Sequence, residues 1–112
     1  MTESWDIIVV GAGSAGIPAA IKAAERGAKV LQLEADEKIG GTLFLSSGQI
    51  SAAGTKRQKT RGIIDSAEEH YADAQRIAEG TIDPLLGRLA IDHAGPTYDW
   101  LESLGYKPID DH

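Results

Sequence analysis

Residues 6–34 read DIIVVGAGSAGIPAAIKAAERGAKVLQLE, and the succession of residue types in this stretch decides the fold. Ile7, Ile8, Val9 and Val10 follow Asp6 as a short continuous apolar run, the pattern of a strand buried on both faces of a parallel sheet. Gly11 ends it. From Ile17 to Arg26 the chain is rich in alanine (Ala19, Ala20, Ala23, Ala24), which favours helix and keeps the side facing a sheet thin. Pro18 falls near the first turn, where the loss of an N–H costs little. Gly27 suits the position just past the helix end, and Lys29 to Leu33 reads as a second strand closing on Glu34.

Between the first strand and the helix, Gly11-Ala12-Gly13-Ser14-Ala15-Gly16 has the G-x-G-x-x-G spacing. Gly11 permits the tight turn, Gly13 lets a pyrophosphate approach the backbone without meeting a Cβ, and Gly16 lets the helix pack closely on the strand. The unbonded N–H groups and the dipole at the helix start point at the phosphates. Glu34 stands where a carboxylate accepts hydrogen bonds from ribose hydroxyls and repels a 2′-phosphate, so NADP is disfavoured. A glycine fingerprint by itself marks an ordinary tight turn as well as a binding loop. With strand, helix, second strand and terminal acid all in place, the reading is a dinucleotide site.

At 112 residues the chain is long enough for one small domain, while a complete doubly wound dinucleotide domain needs more strands than this sequence supplies. No second strand–helix–strand repeat follows Glu34, so the sheet is expected to have an uncovered edge and the chain to be the front part of a longer fold. A net charge of −6 disfavours nucleic acid and anionic membrane surfaces as partners and suits a soluble protein. Cysteine is absent, which removes disulfides, thiol catalysis and cysteine-ligated metal from this segment. Met1 to Trp5 has no basic run and the apolar stretch behind it is short, so neither a signal peptide nor a membrane span is expected, and a cytoplasmic location is the default.

Ala35 to Ile39 is a short polar connection, and Gly40-Gly41 marks a sharp bend or a close backbone approach. Leu43-Phe44-Leu45 then leads into Ser46-Ser47-Gly48-Gln49 and Ile50-Ser51-Ala52-Ala53-Gly54-Thr55, dense in small residues and hydroxyls. Alone, such a stretch reads as a flexible surface loop; behind a dinucleotide fingerprint it is suited to lining a flat ligand.

The pattern DIIVVGAGSAG, the acid at Glu34, then GGT, SSGQ and AAGT resembles the N-terminal part of the FAD-dependent oxidoreductase 2 family, which groups fumarate reductase and succinate dehydrogenase flavoproteins with ketosteroid dehydrogenases. The similarity continues to Trp100-Leu101 and Gly105, so it covers essentially the whole chain but only the front of the family. The resemblance implies an α/β fold: a Rossmann-like FAD-binding βαβ unit, followed by a mostly helical segment. Residues 1–62 would be the N-terminal part of the FAD-binding domain, including a flavin-side loop at 40–55, and residues 63–112 would lead toward the cap and substrate domain. Carried over by position, Gly11, Gly13, Ser14, Ala15 and Gly16 would contact the pyrophosphate, Glu34 the ribose, and Gly41, Thr42, Ser47 and Gly48 the flavin side. The family often has a second glycine where this chain has Gln49. Members that attach FAD through a histidine on this loop carry it where this chain has Thr42, and residues 40–48 contain neither histidine nor cysteine, so FAD is expected to be held non-covalently.

Lys56, Arg57, Lys59 and Arg61 form a basic run that reads as a solvated loop. Ser66 with Glu69 forms an S-x-x-E box opening a helix to about Glu79, with Gly80 as its stop. Asp83-Pro84 starts a second helix, expected to yield near Gly95-Pro96 and to be followed by a short one from Thr97 to Leu104. Leu85, Leu86, Leu89, Ala90 and His93 recur at helical spacing, continued by Trp100, Leu101 and Leu104, and read as core. His70, His93 and His112 share no ligand spacing, and no nucleophile elbow is present, so neither a metal site nor hydrolase chemistry is expected.

The resemblance implies an oxidoreductase that reduces an activated alkene or desaturates its saturated partner, with its acid, base and substrate clamp later in the chain. No catalytic residue is assigned here, and the 112-residue chain alone is expected to be inactive. The competing readings are a nucleotide-binding fragment or interaction module without redox chemistry, and an NAD-binding Rossmann domain.

Overall fold

The computed structural model describes residues 3–109; His112, one of the three histidines, lies outside the described residues. The chain divides into two compact units, Met1–Gln49 and Ile50–His112.

The first unit is built on β1 (Ile7–Val10), α1 (Gly16–Glu25) and β2 (Val30–Leu33). The strands pair in parallel, Ile7 opposite Val30 and Val10 opposite Leu33, and form a two-stranded sheet. A parallel pair needs a crossover, and α1 supplies it. The Asp6 N–H donates to the Lys29 carbonyl (2.9 Å) and the Lys29 N–H to Asp6 Oδ2 (2.7 Å), which sets the register at its start. Gly27, at φ +86°, follows the helix end in the left-handed region that glycine enters without a Cβ penalty. Ala20 buries the thin side of α1, as the alanine pattern predicts.

The expectation that β1 is buried on both faces is not met: Ile7 and Ile8 are exposed, and Val10 is 83 % exposed. An apolar run reports what a strand can bury, and the burial itself depends on neighbours that a two-stranded sheet does not provide. After β2 the chain turns through Gly40 (φ +113°) and Gly41 (φ +54°) into a single 3-10 helix, Gly41–Leu45, which the sequence reading does not anticipate.

The second unit contains α2 (Lys56–Thr60), α3 (Ala67–Ile77) and α4 (Pro84–Ser103). The basic run expected to be a solvated loop is the helix α2. Thr55, 3 % exposed, caps it: the Thr55 side chain accepts from the Gln58 N–H (3.1 Å) while Gln58 Oε1 accepts from the Thr55 N–H (3.0 Å). That reciprocal box removes two orphan donors, enough to set a helix start where the charge pattern suggests none. The Lys56 N–H also donates to Asp99 Oδ1 (2.9 Å), and Arg57 pairs with Glu102 (3.3 Å). At α3, Ser66 Oγ accepts from the Glu69 N–H as expected, but the Ser66 N–H goes to Asp65 Oδ1 (2.8 Å), so the box is only half made through Glu69. Asp83 caps α4 through the Leu86 N–H (2.9 Å), with Pro84 at its start.

The helix does not yield at Gly95-Pro96: α4 runs through Pro96 to Ser103 as one element. Packing outweighs the bond lost at proline. Gly95 is buried, and a Cβ there would run into the Ala53 carbonyl oxygen, so the helix backbone lies directly on residues 53–54. Tyr98, 9 % exposed, is buried one turn further on, and burial pushes its phenol above the ordinary range.

The core assigned to α4 is also corrected. Leu85, Leu86, Leu89, Ala90 and His93 are exposed, Leu104 is half exposed, and Trp100 and Leu101 are half-buried. The face of α4 against α3 is instead carried by Gly87, where a Cβ would run into Ile82 and approach Tyr71, and by Arg88, which lies over the Tyr71 ring (4.7 Å) and makes two bonds to Glu68 (2.6 and 3.0 Å). His70 has its Nδ1 buried without a partner among the described residues.

Candidate cofactor site

The glycine loop occupies the turn from β1 into α1, at the carboxyl ends of both strands. Each fingerprint residue has a different local reason to be there. Gly11 has φ +100°, which strains any residue bearing a Cβ. A Cβ at Gly16 would collide with the Gly11 carbonyl oxygen, so the helix can approach the turn only if that position is bare. Gly13 differs from both. A Cβ there would meet nothing closer than the Gly40 carbonyl oxygen at 3.9 Å, so no packing among the described residues requires a glycine. The space left open at Gly13 fits an external group passing close to the backbone.

The helix start is electrostatically open. Its first intrahelical bond runs from the Ile17 N–H to the Gly13 carbonyl (3.1 Å), which leaves the N–H groups of Ser14, Ala15 and Gly16 ahead of it. No side chain among the described residues caps this end, and no acidic residue lies in its first turn. Pro18, in the first turn, has no N–H to give the Ser14 carbonyl, while its neighbours Ile17 and Ala19 make their bonds to Gly13 (3.1 Å) and Ala15 (3.2 Å), so the helix loses a single bond there. Four features therefore converge on an anion: uncapped N–H groups, a positive helix end, a bare Cα at Gly13 and no competing carboxylate in the first turn.

Glu34 follows β2 and reaches back across the ends of both strands. Its Oε2 accepts from the Ala12 N–H (2.6 Å), and its Oε1 accepts from the N–H groups of Ala35 (2.7 Å) and Asp36 (3.0 Å). The Asp36, Ala12 and Ala35 N–H groups hold the carboxyl below its ordinary value. It is anionic at neutral pH. Val10, Gly11, Leu33, Glu34 and Ala35 line a cleft of about 330 Å³ at this strand edge. Apolar walls with one carboxylate at the rim suit an adenosine whose ribose hydroxyls need an acceptor.

Gly41 is held near the loop, and Thr42 follows it in the 3-10 helix. The Gly40 N–H donates to the Ala12 carbonyl (2.7 Å), Gly13 and Gly40 form a parallel bridge, and a Cβ at Gly41 would lie 3.6 Å from the Gly13 Cα. The fingerprint and the double glycine, far apart in sequence, thus form one backbone layer. Ser47 and Gly48 lie beyond it in an exposed segment, where Gly48 has φ +75° and its N–H donates to Ser46 Oγ (3.1 Å). Thr55 and Ala53, in the stretch suited to lining a flat ligand, are buried in the second unit as structural residues.

One residue at the site escapes the sequence reading. Gln32 Nε2 donates to the Gly11 carbonyl (3.1 Å). Its signal was a polar side chain inside the otherwise apolar strand VLQL, two residues before the terminal acid and so on the same face.

A family model described as "FAD binding domain" matches residues 6–111. The chain is 38 % identical over 103 residues to a fumarate reductase (cytochrome) of Shewanella frigidimarina, covering 92 % of this chain and 18 % of that protein. It is 37 % identical over 101 residues to a urocanate reductase of Eggerthella lenta, covering 90 % of this chain and 17 % of that protein. It is 35 % identical over 105 residues to a 3-oxosteroid 1-dehydrogenase of Comamonas testosteroni, covering 92 % of this chain and 18 % of that protein. The chain thus spans less than a fifth of the length of these relatives. No helix among the described residues is long and apolar enough to cross a membrane.

Proposed function

The chain belongs to the FAD binding domain family, matched over residues 6–111, and from that premise we propose that it forms the cofactor-binding front of a larger Rossmann-like flavoprotein, a parent oxidoreductase that reduces an activated alkene or desaturates its saturated partner. The observation that carries the reading is the open Cα of Gly13 beneath an uncapped helix end, with the Glu34 carboxylate at the far edge of the same strands.

In this reading Gly11, Gly13, Ser14, Ala15 and Gly16 receive the pyrophosphate, Glu34 accepts from the ribose, and Gly41, Thr42, Ser47 and Gly48 line the flavin side. Bound FAD supplies hydride transfer at its ring, and it is held without a covalent bond to this segment, whose residues 40–48 offer no histidine or cysteine. What this chain contributes is orientation and charge neutralisation. It offers no convergent acid, base and clamp among the described residues: Arg57 is paired with Glu102, Arg76 with Asp73, and Arg88 with Glu68 and Asp92. The proton-transfer groups and the substrate clamp belong to the rest of the parent, whose partner is a small-molecule substrate and whose location is cytoplasmic. Fumarate, another unsaturated acid and a 3-oxosteroid are the substrate classes that the named relatives support.

The test is the visible spectrum of the parent protein together with paired assays, reduced viologen with fumarate or urocanate and a 3-oxosteroid with an artificial acceptor. A flavin band and turnover in one pair are expected. A colourless protein that binds NADH, or a yellow parent inert to every alkene and saturated partner tried, refutes the reading.

A further inference from the structure

We propose that Gln32 is a positioning residue for the cofactor and that, with Glu34, it clamps the Gly11–Ala12 peptide plane from its two ends. The inference rests on the FAD-binding reading above and concerns how the loop is held ready for it. Gln32 Nε2 donates to the Gly11 carbonyl (3.1 Å), and Glu34 Oε2 accepts from the Ala12 N–H (2.6 Å). That carbonyl and that N–H belong to one peptide unit. Because the unit is planar, fixing its oxygen and its hydrogen fixes its rotation about the chain.

The clamp acts where the chain is otherwise free to turn. Gly11, at φ +100°, has no side chain of its own to restrict the orientation of the following plane. A rotated plane would bring the Gly11 carbonyl toward the Glu34 carboxylate and the Ala12 N–H toward the Gln32 amide donor, so both side chains oppose it. The next polar group is tied as well, by the Gly40 N–H on the Ala12 carbonyl (2.7 Å). With these planes held, the N–H groups of Ser14 to Gly16 keep one direction before any ligand arrives, which lowers the ordering cost of binding.

Alternation along a strand puts Gln32 and Glu34 on one face, so β2 delivers a donor and an acceptor at the spacing one peptide unit needs. The two side chains differ in a second respect. A carboxylate has about four lone-pair sites, and three N–H groups occupy three of them, which leaves one for a ribose hydroxyl. Glu34 therefore both clamps and contacts the cofactor, whereas Gln32 only clamps.

The experiment uses the parent protein carrying Gln32→Met, which keeps the side chain's length and removes the donor, and Gln32→Glu, which keeps size and polarity and replaces the donor by an acceptor. Both are expected to raise the FAD dissociation constant, by about five- to tenfold for the loss of one hydrogen bond. In FAD-free protein, hydrogen exchange of the peptide spanning residues 8–16 should quicken while the α4 peptide keeps its protection. A double variant with Glu34→Gln should lose less affinity than the product of the single losses, because both changes release the same plane. Multiplicative losses, or unchanged exchange at residues 8–16 in both Gln32 variants, overturn the clamp. Gln32→Glu behaving as the unaltered protein would show that Gln32 only fills space. If the unaltered parent binds no FAD, the cofactor reading fails, while the exchange measurement on FAD-free protein still decides the clamp.

Discussion

Replacing Gly13 by alanine separates cofactor binding from folding. A methyl group at this position would meet no described protein atom closer than the Gly40 carbonyl oxygen at 3.9 Å, an ordinary contact, and Gly13 is not among the glycines with positive φ. The unliganded protein should therefore tolerate Gly13→Ala, and the smaller freedom of the unfolded chain should stabilise it by roughly 0.4–1 kcal/mol. In the proposed function, by contrast, the pyrophosphate needs the space the methyl would fill. Overpacking a tight contact costs about 1–3 kcal/mol, which is about 5- to 150-fold in FAD affinity. Gly16→Ala is the control. Its methyl would collide with the Gly11 carbonyl oxygen, so the loop or the helix must shift and both folding and binding should suffer. The assay is thermal unfolding of FAD-free parent protein alongside fluorescence titration with FAD. FAD affinity retained in Gly13→Ala would show that the phosphates do not pass over this Cα. Loss of stability in Gly13→Ala equal to that in Gly16→Ala would show that the fold itself uses the bare position.

Three more outcomes are expected. Glu34→Ala should weaken FAD about tenfold or more, since a charge-assisted acceptor is lost, and an unchanged titration would remove Glu34 from the ribose site. Because N–H groups hold the Glu34 carboxyl below its ordinary 4.5, the stability it contributes is complete above that pH and is lost as pH falls through the lower folded-state value; the difference in stability between the unaltered protein and Glu34→Gln should thus be constant above pH 4.5 and shrink below it, and a difference that instead grows toward low pH would contradict the assignment. Gly95→Ala should destabilise the second unit by about 1–3 kcal/mol, read as a lower unfolding midpoint, because its methyl would be driven into the Ala53 carbonyl oxygen.

The first unit was legible because its elements are specified locally. Four consecutive apolar residues, a glycine turn, an alanine-rich helix and Gly27 each act within a few residues of themselves, and β1, α1 and β2 fall where these signals put them. The second unit was less so, because tertiary contacts decided it. Pro96 and Gly95 together read as a helix end, yet Gly95 is the place where α4 lies against residues 53–54, and that contact holds the helix through the proline. The same contact explains the misplaced core. With the backbone at Gly87 and Gly95 turned toward its neighbours, the leucines at 85, 86 and 89 face outward, and periodicity alone reports an apolar stripe without saying what covers it. The Thr55–Gln58 box was visible as T-x-x-Q and lost to the louder charge pattern that follows it.

At the site, residue types were legible and pairings were not. The glycines and Glu34 could be named from spacing, but that Glu34 meets Ala12 and Gln32 meets Gly11 depends on the parallel register, Val9 opposite Gln32 and Val10 opposite Leu33, continued by the Gly11 N–H to the Leu33 carbonyl at 2.7 Å. A slip of one residue would turn Gln32 and Glu34 to the opposite face and offer Leu33 to the loop instead. The register is fixed at its start by Asp6 and Lys29, whose bonds join the strands at the end away from the glycines. Asp6 thereby governs the site without touching it: it sets which residues of β2 arrive beside the glycine loop. Spacing along the sequence could say that an acid follows the second strand. Only the pairing of the strands says which peptide it grips.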